Sequence, residues 1–185
     1  QYLSHKCGLQ QMDASQWRFL RLRPQNFPHI RIAQLTLLYY NRQTGLSQLL
    51  DCETVKEVRK LLTTQVTPYW ENHYVFGEES AKCEKRLSTA SLSLLIINTV
   101  VPILFAYGTH KNAEKYCDRA FNFLDTLKAE RNHIVRMWQE VGLTVDTAGD
   151  SQALIQLKKA YCDRKDCLRC RIGYEYLKGN SALKE

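Results

Sequence analysis

The chain has 185 residues, 44% hydrophobic and 24% charged, with a net charge of +7. A soluble chain of this length buries about 70% of its unfolded surface, so it needs no disulfide or metal staple to fold. Eight Gly and four Pro argue against long disordered or linker segments, and the length fits one domain over residues 1–185.

The first residues, QYLSHKCGLQQM, read like the end of a helix arriving from elsewhere, so the chain is expected to be the C-terminal fragment of a longer protein. Arg18, Arg21 and Arg23 then interleave with Trp17, Phe19, Leu20 and Leu22, and Pro24 ends whatever precedes it. Asn26 is expected to cap a helix starting at Phe27, with Pro28 in its first turn. Ile30, Ala33, Leu37 and Tyr40 form one stripe of that helix. Ile32, Leu35, Leu38 and Tyr39 widen it, which predicts burial on more than one side. A short helix around Leu46–Leu50 follows the Thr44-Gly45 break, and residues 53–63 read as amphipathic with Val55, Val58, Leu61 and Leu62 inward. Residues 67–77 hold Tyr69, Trp70, Tyr74 and Phe76 with His73 among them, and Pro68 suits a helix start. Such a cluster can stack bases or line a pocket, although aromatics at helical spacing are more often core. Residues 78–87 are polar and read as an exposed loop.

The longest apolar run is Leu92 to Tyr107. A membrane span needs about 20 predominantly apolar residues, and this run is shorter and contains Asn98, Thr99 and Pro102. It is expected to form the central buried helix, 91–107, kinked or interrupted at Pro102, with Asn98 and Thr99 needing internal partners. Residues 112–127 predict a helix with Tyr116, Ala120, Phe123, Leu124 and Leu127 inward. Residues 131–141 predict another, with Ile134, Val135, Trp138 and Val141 inward and Gly142 as its stop. Thr147 and Asp150 resemble a capping pair for a helix over 148–161, with Ala153, Leu154, Leu157 and Tyr161 inward. A last helix is expected over 167–178. No strand alternation and no internal repeat stand out. The expected fold is all-α, a single compact domain of seven to nine helices around the central apolar one.

Charge and cysteine usage carry the functional hints. Residues 1–50 hold six Lys/Arg and one acid, and residues 151–185 hold eight against four, while the middle is slightly acidic. If the two ends meet in space they make one basic face suited to nucleic acid or another polyanion. No Gly-rich phosphate loop, metal-spaced His pair or Ser or Cys nucleophile motif is present, so the chain reads as non-catalytic. Asp150-Ser151-Gln152 is explained more cheaply by helix capping than by catalysis. Seven cysteines without a paired framework favour a reducing, cytoplasmic setting. Cys162, Cys167 and Cys170 have the C-x4-C-x2-C spacing that suits zinc or an iron–sulfur cluster, with no evident fourth ligand. The loop resembles the one closing iron–sulfur DNA glycosylases, but its first spacing is shorter and no cysteine follows Cys170.

Several long stretches together show a resemblance: WRFLRLRPQNFPHIRIAQL (17–35), YWENHYVFG (69–77), IINTVVPILFAYG (96–108), DSQALIQLKKAYC (150–162) and KDCLRCRIG (165–173). They resemble the C-terminal part of a bacterial family known as domain of unknown function 2851. The resemblance implies longer members, with an upstream part like a nuclease core of the restriction-endonuclease type. It therefore implies a helical accessory module that binds nucleic acid beside that part, without its active site. Arg18, Arg21, Arg23 and Arg31 are the phosphate-contact candidates within the family pattern, and Arg169 and Arg171 extend the set at the other basic end. The alternative is a structural or protein-interaction domain that docks onto its own N-terminal domain, with the cysteine cluster as a structural metal site. Neither expectation involves a membrane.

Overall fold

The protein is represented by a computed structural model that describes residues 2–10, 12–42 and 45–181. Thr44, expected to break the chain before the helix at Leu46, lies outside the described residues. The chain gathers into two compact units: Gln1–Gln48 with Lys60–Thr89, and Leu49–Arg59 with Ala90–Glu185. The all-α class holds, and among the described residues the strands amount to one small hairpin.

Unit 1 begins with α1 (Tyr2–Lys6) and reaches its main helix, α2 (Pro28–Arg42), through short 3-10 turns at Ala14–Gln16 and Pro24–Asn26. The helix starts one residue later than expected, and Asn26 does not cap it: Asn26 Oδ1 accepts instead from Arg31 Nη2 at 2.5 Å. Burial follows one face only. Ile30, Ala33 and Gln34 are buried, while Ile32, Leu35, Tyr39 and Tyr40 stay exposed, so the expected many-sided burial is corrected. Further along the chain come α3 (Leu46–Asp51) and α4 (Val55–Leu62). At the start of α4, Thr54 Oγ1 accepts from Glu57 N while Glu57 Oε2 accepts from Thr54 N and Glu53 N, the reciprocal bonding of a capping box.

The aromatic stretch after Pro68 is not one helix. A single turn, α5 (Pro68–Glu71), gives way to strand β1 (His73–Val75), which pairs antiparallel with β2 (Glu78–Glu79). Gly77, at φ +77°, makes the turn between them, a conformation that a Cβ penalises. The following segment is not simply an exposed loop either. Lys85 is among the largest fully buried side chains, 2% exposed. Its Nζ donates to Glu71 O at 2.7 Å and lies 4.1 Å from the centre of the Tyr74 ring, and Gln34 Nε2 donates to its carbonyl at 2.8 Å. Burial lowers the Lys85 pKa from its ordinary value.

In unit 2 the apolar run forms a continuous helix of 23 residues, Thr89–Lys111. It comprises α6 (Thr89–Leu95), a π turn over Ile96–Val100, and α7 (Val101–Lys111). Pro102 has no N–H to offer the carbonyl four residues back. The chain absorbs this by widening one turn, so that Val101 N–H reaches Ile96 O, and the helix continues instead of breaking. Leu92, Ile96, Ile97, Val100, Val101 and Leu104 face inward. Asn98 and Thr99 face out, contrary to expectation, and Asn98 Nδ2 returns to Leu94 O at 2.9 Å. Leu94, Leu95, Ile103 and Phe105 are also exposed. By length and composition this helix is sufficient to cross a bilayer, a test that the core helix of a soluble protein also passes.

Asn112, left-handed at φ +50°, turns α7 into α8 (Glu114–Thr126). The two helices meet closely at Gly108, where an added Cβ would lie 2.7 Å from Cys117 Sγ and 3.0 Å from its backbone N. Ala120, Phe123 and Leu127 are buried as the spacing predicts. In α9 (His133–Glu140), capped by Asn132, Ile134 and Val135 are buried, but Val141 lies past the helix end and is 70% exposed. The capping box of Thr147 and Asp150 opens α10 (Ala148–Leu157) as expected. Its buried positions are Ala148 and Ser151, whereas Ala153 is exposed. The reason is Ser151: its Oγ donates to Ala148 O and accepts from Glu130 N, which turns that face toward the preceding loop. A second π turn, Lys158–Cys162, leads through a bend to α11 (Arg171–Ser181). Seven helices of eight residues or more therefore carry the described fold, with the 23-residue helix counted once.

Candidate nucleic-acid interface

Unit 1 holds a connected set of rings that the sequence scatters over sixty residues. His29, in the first turn of α2, is at its centre. Trp17 and Phe19 stack on it at 5.4 and 5.5 Å between centroids, with interplanar angles of 27° and 26°. Phe76 meets it edge-on at 5.5 Å, and Trp70 lies 6.3 Å away. Phe76 and Trp70 contact each other at 5.0 Å, and Tyr69 stacks on His73 at 3.9 Å. Each such pair contributes about 0.5–1.5 kcal/mol beyond its area burial. His73 Nδ1 has two acceptors within reach, Tyr69 O at 2.8 Å and Asn72 Oδ1 at 2.9 Å, so this nitrogen carries the proton. Tyr69 hydroxyl in turn accepts from Gly77 N at 3.1 Å, which ties the hairpin turn back to α5.

The local reasons for this placement are backbone features. Pro24 and Pro28 bracket a 3-10 turn that brings the 17–19 segment back onto the start of α2. Gly77 folds Phe76 toward the same place from the hairpin. The rings border a half-open cavity of about 490 Å3, lined by Trp17, His29, Trp70 and Phe76 with aliphatic residues of α2, and with Thr36 and Thr67 among its polar members. No carboxylate lines it among the described residues. His29 Nδ1 is buried with no hydrogen-bond partner among the described residues.

The arginine candidates separate into two groups. Arg18, Arg21, Arg23 and Arg31 belong to unit 1, and Arg169 and Arg171 to unit 2. Arg18, Arg21 and Arg23 are exposed, and no ion pair holds them among the described residues. Arg21 occupies a left-handed turn at φ +63°, closed by a bond from Leu22 N to Phe19 O at 3.1 Å. Arg31 is half-buried: its guanidinium binds Gln34 Oε1 at 2.9 Å and Asn26 Oδ1, and burial lowers its pKa. Arg169 pairs with Asp166 at 3.3 Å and Arg171 with Glu175 at 3.1 Å, both at exposed positions where such pairs contribute about 0.5 kcal/mol or less. Unit 1 carries ten Lys/Arg against five acids, and so holds +5 of the chain's +7.

All seven cysteines are free. Cys162 and Cys167 are exposed and Cys170 is buried. The bend between them is held by backbone bonds from Lys165 N to Cys162 O and from Cys170 N to Asp166 O. Gly173 fits against it so tightly that a Cβ there would lie 2.5 Å from Cys167 O. Among the described residues no three His, Cys, Asp or Glu side chains converge as a metal-holding group.

Sequence reasoning placed the aromatic stretch and the neighbouring arginines but missed His29 as their hub, along with Thr36, Thr67 and the buried Lys85. A readable signal for His29 was its place beside Pro28, where a helix start fixes its direction. The model of a family described as "Protein of unknown function (DUF2851)" matches residues 1–133. The stretches at 17–35, 69–77 and 96–108 fall inside that match, and those at 150–162 and 165–173 lie beyond it. No curated protein and no solved structure matches the chain.

Proposed function

We propose, for a chain that belongs to the DUF2851 family, that unit 1 is a non-catalytic module that binds nucleic acid through Arg18, Arg21 and Arg23 beside the ring assembly. One observation carries this reading: three exposed arginines, with no ion pair among the described residues, lie within and just after the Trp17–Phe19 segment whose rings stack on His29, in the unit that holds most of the positive charge. Arginine supplies planar donors for phosphate, and nearby rings supply faces for bases. Arg31 serves differently in this reading, since its bonds to Asn26 and Gln34 set the start of α2 and thus the direction of His29. The expected place of the module beside a nuclease-like part rests on the family resemblance and belongs to the same proposal.

Binding of labelled oligonucleotides, followed by anisotropy across a salt series, tests the reading. Each lost phosphate contact lowers the slope of log affinity against log salt by about 0.7 for single strands. The triple variant Arg18→Gln, Arg21→Gln and Arg23→Gln is expected to lower it by about 2. Arg171→Gln, which touches a surface ion pair in unit 2, is expected to leave it unchanged. No detectable binding at low salt, or an unchanged slope in the triple variant, overturns the proposal.

A further inference from the structure

We infer that the cavity bounded by Trp17, His29, Trp70 and Phe76 is a seat for one unstacked base of a single strand, an inference that rests on the nucleic-acid reading above. Two kinds of ligand suit a cavity walled by aromatic rings: a flat π-system that stacks, and a cation that meets ring faces. The surroundings separate them. A cation cage gains from a nearby carboxylate, and none lines this cavity among the described residues. The unit also carries +5, and exposed Arg18 directly follows the lining residue Trp17. That field repels a cation and attracts a ring tethered to phosphate.

The cavity, about 490 Å3, lies within the range of small-molecule sites and admits a ring with room for its sugar to leave toward solvent. A duplex keeps its bases stacked and paired, so only a single strand offers one at little cost. Recognition here is by stacking rather than by edge reading. His29 Nδ1 is sealed among its ring neighbours. Apart from the ring nitrogens of His29, Trp17 and Trp70, the polar side chains on the lining are the exposed hydroxyls of Thr36 and Thr67, with no amide or carboxylate among the described residues to pair with a base edge. The seat therefore accepts any base, with modest preference by stacking strength.

The test uses the three tryptophans of the chain. In a Trp138→Phe background the emission belongs to Trp17 and Trp70, both on the cavity wall. The probes are a single-stranded octanucleotide, the same strand with abasic sites throughout, the matching duplex, and tetramethylammonium. The base-bearing strand is expected to quench the emission and to bind about tenfold or more tighter than the abasic strand. Thr36→Phe, at an exposed position on the rim, fills the cavity without disturbing buried atoms. It is expected to abolish that difference while leaving abasic binding in place. Equal binding of the two strands overturns the base seat but leaves the phosphate-binding reading standing. Failure of every strand to bind at low salt removes both. Quenching by tetramethylammonium, or tighter binding of the duplex, assigns the cavity to another ligand and overturns the inference.

Discussion

In unit 2 the backbone of α7 comes so near α8 that a Cβ at Gly108 would sit 2.7 Å from Cys117 Sγ. Leu104 and Phe123, on these two helices, are almost wholly buried there. In unit 1 the comparable task falls to rings and to polar groups. Four aromatic contacts converge on His29, and the buried Gln34 and Lys85 bind each other across fifty-one residues of chain. The α7–α8 pair also carries ring contacts, Phe105 on Phe121 at 5.7 Å and Tyr107 on Tyr116 at 5.1 Å, but its buried face is mainly apolar side chains that gain chiefly from burial. A ring and hydrogen-bond assembly is directional, so it leaves faces and cavities that a ligand can use. That difference accounts for the aromatic cavity of unit 1; unit 2 has a cavity of another kind, about 560 Å3 and lined by both basic and acidic side chains, Lys128, Arg131 and Arg136 with Glu130 and Asp146.

Gly108→Val is expected to show the largest effect. The new side chain meets the Cys117 backbone N and the Ala113 carbonyl, neither of which can swing aside. Overpacking of this kind costs about 3 kcal/mol. Urea denaturation followed by helix ellipticity and by Trp138 emission measures it, and a change below about 1 kcal/mol would refute the close-approach account. Gln34→Ala probes unit 1. It leaves the Lys85 carbonyl without its donor and Arg31 Nη1 without Gln34 Oε1, at a cost of about 2 kcal/mol. Emission from Trp17 and Trp70 should report the loss at lower urea than in the parent protein, and an unchanged midpoint would show that the polar pair adds nothing.

The smallest effect sharpens the account of unit 2. Thr147→Ala removes one half of the capping box that opens α10, at about 1 kcal/mol. Its partner Asp150 accepts from the backbone N–H of Thr147 and of Asp146, and the Thr147 bond holds its carboxyl below the ordinary value of 3.8. A carboxyl lowered in the folded state contributes stability above pH 3.8, and that contribution is lost as pH falls through the folded value. Asp150→Asn should therefore flatten the acid limb of the stability profile in urea melts across pH 2 to 6. A profile identical to the parent's would remove Asp150 from the acid response.

Where a rule acts within one turn of helix, the sequence was legible. Thr147 with Asp150 marks a helix start, Gly142 at φ +91° marks a stop, and the spacing of Ala120, Phe123 and Leu127 marks an inward face. The all-α class follows from such local signals. Of the candidate site, the arginines and the aromatic stretch were readable, because residue type alone shows charge and ring. What the tertiary structure decided is which of these groups meet. Ile32 is as apolar as Ile30 and was expected to widen the buried stripe, yet only Ile30, on the opposite side of the helix, is buried. Asn98 was expected inside because the run around it is apolar, but the π turn that accommodates Pro102 leaves it facing out. Lys85 lies in a polar stretch and is nonetheless buried, since the carbonyl of Glu71, the ring of Tyr74 and the amide of Gln34 are ready to receive it. Local sequence determines what a segment can form. Burial of a polar group depends on partners that only the folded chain brings into reach.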